Sequence, residues 1–178
     1  NKHDLKAAKV WVPQRDHVAE AGFKAGGVTP ISLPLADVYT SLQTGLIDTV
    51  ANTPAGAIAF QWHTKVRHMV DLPITYVVGI LVIDKKVFDA LTPADQKAVN
   101  DDLAAAFARL EKINRDDNAQ AKIALQKQGV EIFAPNAAET AAWESVGAEA
   151  RKQLQAAGEI TPEMAAALDK ALAAARTK

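Results

Sequence analysis

Apolar and polar positions follow two different rhythms along the chain, and the change between them divides it into a strand-bearing first half and a helical second half. Residues 9–12 (KVWV) alternate and stop at Pro13, which predicts a short strand. Residues 16–25 carry a helical pattern ended by the pair Gly26 and Gly27. A second strand is expected over 28–33, with Pro30 favouring its start or an edge position. A helix over 35–43 follows, closed by Gly45. Residues 46–50 (LIDTV) form another short buried run, leading to a helix after Pro54. The most apolar stretch is 74–83 (ITYVVGILVI); its β-branched residues and central Gly79 favour a buried strand over a helix.

Beyond it the pattern is helical. Thr92, Pro93 and Asp95 supply an N-cap, a first-turn proline and a carboxylate at the third position. Neither Gly nor Pro then occurs before Gly129, so one helix should run from 92 to 128, roughly 50 Å at ~1.5 Å per residue. Its apolar face passes through Val99, Leu103, Phe107, Leu110 and Ile113, then lapses at 114–118 (NRDDN). A polar interval inside so long a helix predicts a solvated bridge between two packed bodies, or a kink. A strand over 130–133 and helices starting at Asn136 (with Glu139 completing a capping box) and at Thr161 and Pro162 complete the pattern.

Composition narrows the chemistry. The chain has 178 residues, 49% hydrophobic and 23% charged, with a net charge of -1. That is an ordinary globular balance, not basic enough to suggest a nucleic-acid partner. Cysteine is absent, which excludes disulfides, thiolate nucleophiles and Cys-ligated metals. Serine occurs at 32, 41 and 145, never within a nucleophile elbow, and the glycines at 22, 26 and 27 do not have phosphate-loop spacing. His63 and His68 are five apart, a spacing that does not place them on one helix face as metal ligands. Adjacent carboxylates at 101–102 and 116–117 diverge around a helix and read as solvated surface. No catalytic constellation rises above background, so no catalytic group, metal or cofactor is expected. The opening residues NKHD, without an initiator Met or apolar leader, suggest a processed or truncated product.

Segment 34–48 (PLADVYTSLQTGLID), followed by Asn52 within VANTP, resembles the central signature of the DctP-like solute-binding proteins of tripartite ATP-independent periplasmic (TRAP) transporters. Residues 4–13 (DLKAAKVWVP) resemble that family's entry into its second lobe, and 91–96 (LTPADQ) the start of its long helix. The resemblance implies the carboxy-terminal part of an α/β, periplasmic-binding-protein-like fold with a mixed sheet and a lobe-spanning helix. Residues 1–77 and 118–178 would form the second lobe, and 78–117 would belong to a first lobe otherwise built from preceding sequence; 74–83 would be covered on both faces in the whole protein, and without the first lobe part of that surface would be exposed. It also implies a periplasmic location, a small organic and generally anionic solute, and integral membrane permease subunits as partners. A sensing module of the same fold, acting through a signalling contact, is the alternative.

The residues so implicated in ligand binding are Trp11, Gln14, Arg15, Leu35 and Asn52. The family usually carries an arginine where this chain has Trp11, and Trp cannot form the paired hydrogen bonds by which arginine clamps a carboxylate. Either the charge contact moves, with Arg15 the candidate, or the ligand is held differently. Trp11 itself reads equally as pocket wall or as core on an alternating strand. Asn52 reads as a turn former before Thr-Pro by itself, and as a ligand contact within the signature.

Overall fold

A computed structural model describes residues 4–176. The chain enters through a 3-10 turn, Asp4–Ala7, and forms strand β1 (Trp11–Pro13), helix α1 (His17–Ala25) and strand β2 (Ile31–Leu33). A second 3-10 turn, Leu35–Asp37, leads into α2 (Val38–Thr44), followed by α3 (Pro54–Ala59), a 3-10 turn Trp62–Thr64 and strand β3 (His68–Val70). The second half comprises α4 (Lys85–Asp89), α5 (Pro93–Lys127), β4 (Glu131–Phe133), α6 (Ala137–Ala156) and α7 (Pro162–Arg176).

Strand β1 is the organising element. It pairs in parallel with β2, Trp11 opposite Ile31, and on its other side Val10 bridges in parallel to Thr49. The Trp11 N–H donates to the Thr49 carbonyl at 2.9 Å, and the Ile31 N–H to the Val10 carbonyl at 2.7 Å. Alternation then sends Val10 and Val12 to one face and Trp11 to the other. On the first face Val10 and Val12 pack with Phe23 of α1 and with Val28. On the second, Trp11 packs with Val38 of α2, Ile47 and Trp62. The two indoles of that cluster meet edge-to-face, centroids 5.3 Å apart at 77°, an arrangement aromatic pairs favour. Crossovers on opposite faces therefore bury residues 10–12 of the central strand segment. Farther out, Val146, Ala150 and Leu154 make the buried stripe of α6, and α6 packs against α1.

Strands β3 and β4 form a second parallel pair, His68 opposite Glu131. The Lys122 ammonium reaches both oxygens of Asp71 at 2.7 and 2.8 Å, tying the carboxyl half of α5 to the end of β3.

The expected helix starts are realised. Asp16, Thr53, Thr92 and Asn136 each accept a backbone N–H at an N-cap, Asn136 and Glu139 form the capping box, and the Met164 N–H donates to Thr161 Oγ1. Gly45 takes φ 73° to close α2, a conformation open to glycine at no steric cost. The long helix spans 35 residues without a break.

Three expectations need correction. Residues 74–83 form no strand; their exposure, Tyr76 at 77% and Ile80 at 81%, is in the direction expected of this surface without the first lobe, but extends over the whole run. A strand exists only when another backbone completes its hydrogen bonds, and among the described residues none lies alongside this one. The run 46–50 contributes a single bridge, with Ile47 buried but Leu46 half exposed. The helix expected from residue 35 begins as a 3-10 turn and becomes α-helical only at Val38.

Candidate functional site

Parallel pairing places the carboxyl ends of β1, β2 and the 47–50 segment along one edge. Gln14 and Arg15 leave β1 there, Leu35 follows β2, and Asn52 follows the third segment. The crossovers from β1 to β2 and from β2 to Thr49 run in opposite directions across the sheet, one over each face. Such a reversal opens a crevice at the strand ends, where open α/β sheets hold ligands. Gln14, Arg15, Leu35 and Asn52 are all exposed on this edge. Four of the five implicated residues thus share one location.

Trp11 does not join them. It is 4% accessible, its indole N–H donates to the Leu33 carbonyl at 3.0 Å, and Trp62 packs against its ring. The core alternative matches this placement: the single polar atom of the side chain already has a partner inside the protein.

Arg15 stands in the turn that carries the chain from β1 to α1, closed by the Asp16 N–H on the Pro13 carbonyl at 3.1 Å. Its φ of 67° is the left-handed conformation that such turns usually give to glycine at their third position. An L-residue there costs about 1–2 kcal/mol. The chain therefore keeps a guanidinium on the strand-end edge at a steric cost. Elsewhere Lys65 lies 5.3 Å from the ring centroid of Tyr39. There the Thr64 hydroxyl, aided by Lys65, holds the Tyr39 phenol below its ordinary pKa.

Asn52 has a defined orientation. The Thr53 N–H donates to Asn52 Oδ1 at 2.7 Å; because the partner is a donor, the atom facing it is the oxygen. The amide NH2 remains as the group able to meet a ligand, and it offers donors only. Behind it the first turn of α3 is fully partnered: Pro54 has no N–H, the Ala55 N–H donates to Asn118 Oδ1 at 3.2 Å, and the Gly56 N–H to Thr53 Oγ1 at 3.0 Å. Asn118 arrives from the polar interval of α5, and its Nδ2 donates to the Asn114 carbonyl at 2.8 Å. Sequence pattern marked that interval as unusual without revealing that it anchors α3.

Other signature residues serve the frame. Asp48 lies at the opposite ends of the strands, where its Oδ1 accepts the Lys9 N–H at 2.9 Å and the Thr49 hydroxyl at 2.8 Å. Lys9 Nζ donates to the Gly45 carbonyl at 2.8 Å. Of the two histidines weighed as ligands, the His63 ring lies 3.3 Å from the Ala57 carbonyl and His68 lies 3.8 Å from Glu131. Among the described residues no group of three or more His, Asp or Glu has metal-binding geometry.

Comparison with known proteins places this edge in context. Residues 2–157 match the family of bacterial extracellular solute-binding proteins, family 7 (DctP). A Rhodobacter capsulatus protein, the C4-dicarboxylate-binding periplasmic protein DctP, is 28% identical over 135 residues, covering 75% of this chain and 40% of its own length. The 2,3-diketo-L-gulonate-binding periplasmic protein YiaO of Escherichia coli is 29% identical, covering 73% of this chain and 39% of its own. The chain thus spans about two fifths of the curated relatives it matches. A TRAP periplasmic solute-binding protein from Fusobacterium nucleatum, solved with sn-glycerol-3-phosphate, superposes with a TM-score of 0.84 at 18% identity, covering 99% of this chain and 55% of that one. One from Shewanella oneidensis, solved with succinate, gives a TM-score of 0.77 at 22% identity, covering 87% of this chain and 51% of that one. The shared fold, with its long helix, and the match over residues 2–157 establish that the chain belongs to the DctP family of bacterial extracellular solute-binding proteins.

Proposed function

We propose that the protein is a periplasmic receptor that captures a small organic anion and delivers it to the integral membrane permease of a TRAP transporter. The observation that carries this reading is the shared edge: Arg15, held there in a left-handed conformation, and Asn52, with its donor-only amide, follow parallel segments on either side of the crossover reversal. A cation and an amide donor exposed beyond the ends of neighbouring parallel segments suit a carboxylate or another oxygen-rich anion. The relatives point the same way, one binding C4-dicarboxylates and another 2,3-diketo-L-gulonate. On this reading Arg15 supplies the charge that the family usually draws from the position of Trp11, while Trp11 packs beneath it as core.

The lobe assignment follows the same line. Residues 1–77 and 118–178 form the lobe carrying this edge, and 78–117 belong to the opposing, first lobe in the whole protein. The bare surface of 74–83 and of α5 before residue 114 supports that division. Ligand would then be enclosed only when both lobes contribute.

Titration calorimetry of the full-length protein with succinate, D-galacturonate and D-glucuronate tests the receptor role. Binding of at least one acid in the micromolar range or tighter, weakened ten-fold or more by Arg15→Gln, is the expected result. Turnover of the bound acid, or affinity indifferent to Arg15, would overturn it.

A further inference from the structure

Gly56 lies within α3, where alanine would ordinarily be the better helix former. A methyl group on Gly56 would find Asn52 in its way: the three nearest atoms are Asn52 Oδ1 at 2.7 Å, Cγ at 2.9 Å and Nδ2 at 3.0 Å. Of the two partners it is Asn52, an exposed side chain, that would have to move. Asn52 is a short side chain whose Oδ1 is held by the Thr53 N–H. The turn carrying Gly56 is held by Thr53 Oγ1 and, at the neighbouring Ala55, by Asn118 of α5. A side chain at position 56 would therefore swing the Asn52 amide out of its orientation.

We propose that Gly56 is a positioning residue of the ligand site. The bare Cα at 56 lets the Asn52 amide lie along the first turn of α3, with its oxygen engaged by Thr53 and its NH2 left for an acceptor atom of the anion. This rests on the reading of Asn52 as a ligand contact. The role differs from the freedom glycine gives a turn, because position 56 is helical and what matters is the space above it.

The test is a double-mutant cycle on the full-length protein with Gly56→Ala, Asn52→Ala and the pair, titrated with succinate, D-galacturonate and D-glucuronate and unfolded thermally. Each single variant should weaken the tightest of these acids ten-fold or more, and the pair should bind no worse than Asn52→Ala alone. In unfolding, Gly56→Ala should raise Tm when residue 52 is alanine, where only the helix preference remains, and should raise it less or lower it when Asn52 is present. Wild-type affinity in Gly56→Ala alongside weak binding in Asn52→Ala would overturn the proposal, as would an equal rise in Tm in both backgrounds. Were Asn52→Ala to bind like wild type, the ligand role of Asn52 would fail, and the site role of Gly56 with it. The unfolding cycle would then still report whether the two residues pack as described.

Discussion

Residues 10–12 and residues 74–83 are both apolar runs rich in β-branched side chains, yet one is the most deeply covered backbone of the molecule and the other the barest. Val10, Trp11 and Val12 are at most 4% accessible, because α1 closes one face, α2 and Trp62 close the other, and parallel neighbours flank both edges. Residues 76–78 and 80–82 are each more than 60% accessible, without a paired strand. The same division runs along α5. Ala121 and Leu125 are buried against the lobe, whereas Phe107, Leu110 and Ile113 stand almost half exposed on the same helix. In the bare half, ion pairs between Lys97 and Asp101, Glu111 and Arg115, and Lys112 and Asp116 run along the helix itself instead of packing it onto anything. An apolar pattern states that a segment needs cover; it does not say what supplies it. For 10–12 the cover follows within the next 55 residues or so, and for 74–83 the described residues do not supply it. The bare apolar patch supports the proposal that this surface meets the opposing lobe.

The largest effect should come from opening the covered region. Trp62→Ala removes an indole 1% accessible, which should cost about 3–5 kcal/mol of unfolding free energy; urea titration followed by circular dichroism measures it. Trp11→Ala should fall in the same range while ligand affinity per folded molecule stays near that of wild type. A sharp loss of affinity without loss of stability would instead make Trp11 a pocket wall.

Next in size are the strand-end residues, where affinity and stability should part. Arg15→Gln should weaken anion binding by about 1.5–3 kcal/mol, the range of a charge-assisted hydrogen bond, with little change in unfolding. Arg15→Gly should weaken binding as much yet raise stability by up to about 1 kcal/mol, because glycine relieves the left-handed φ. Calorimetry beside denaturation on both variants separates the two effects. For Asn52→Ala the expected loss of affinity is about 1–3 kcal/mol.

The smallest effects belong to the bare region. Ile80→Ser should change the stability of this 178-residue chain by less than about 0.5 kcal/mol, since nothing described packs on Ile80. In hydrogen exchange, amides of α5 beyond residue 118 should be protected with the core, and those before 114 should exchange far sooner. Equal protection along the helix would mean that its first half is stabilised by contacts other than those described.

Much of this architecture was legible in the chain because its signals are local. Thr53, Thr92 and Asn136 cap their helices through side chains within three residues, and Gly45 ends α2 by its own conformation. The unbroken run from Pro93 to Lys127 needed only the absence of Gly and Pro. What failed were inferences requiring knowledge of neighbours. The apolar character of 74–83 could not reveal that no strand lies beside it, and alternation at Trp11 was equally compatible with core or cleft until Trp62 was found against it. The site divides in the same way. Gln14, Arg15, Leu35 and Asn52 were named through the family signature, and parallel pairing explains why they share an edge. Gly56 and Asn118 were missed because their roles arise from contacts made in space: Asn118 meets α3 from 63 residues away.

The most direct test is a crystal structure of the full-length protein purified without stripping its solute. Density should show a small organic anion outside the carboxyl ends of β1 and the 47–50 segment, with acceptor oxygens within hydrogen-bond reach of the Arg15 guanidinium and Asn52 Nδ2, and with residues 74–83 covered by the opposing lobe. A solute seated elsewhere, or held at that edge without either residue, would contradict the assignment of the site.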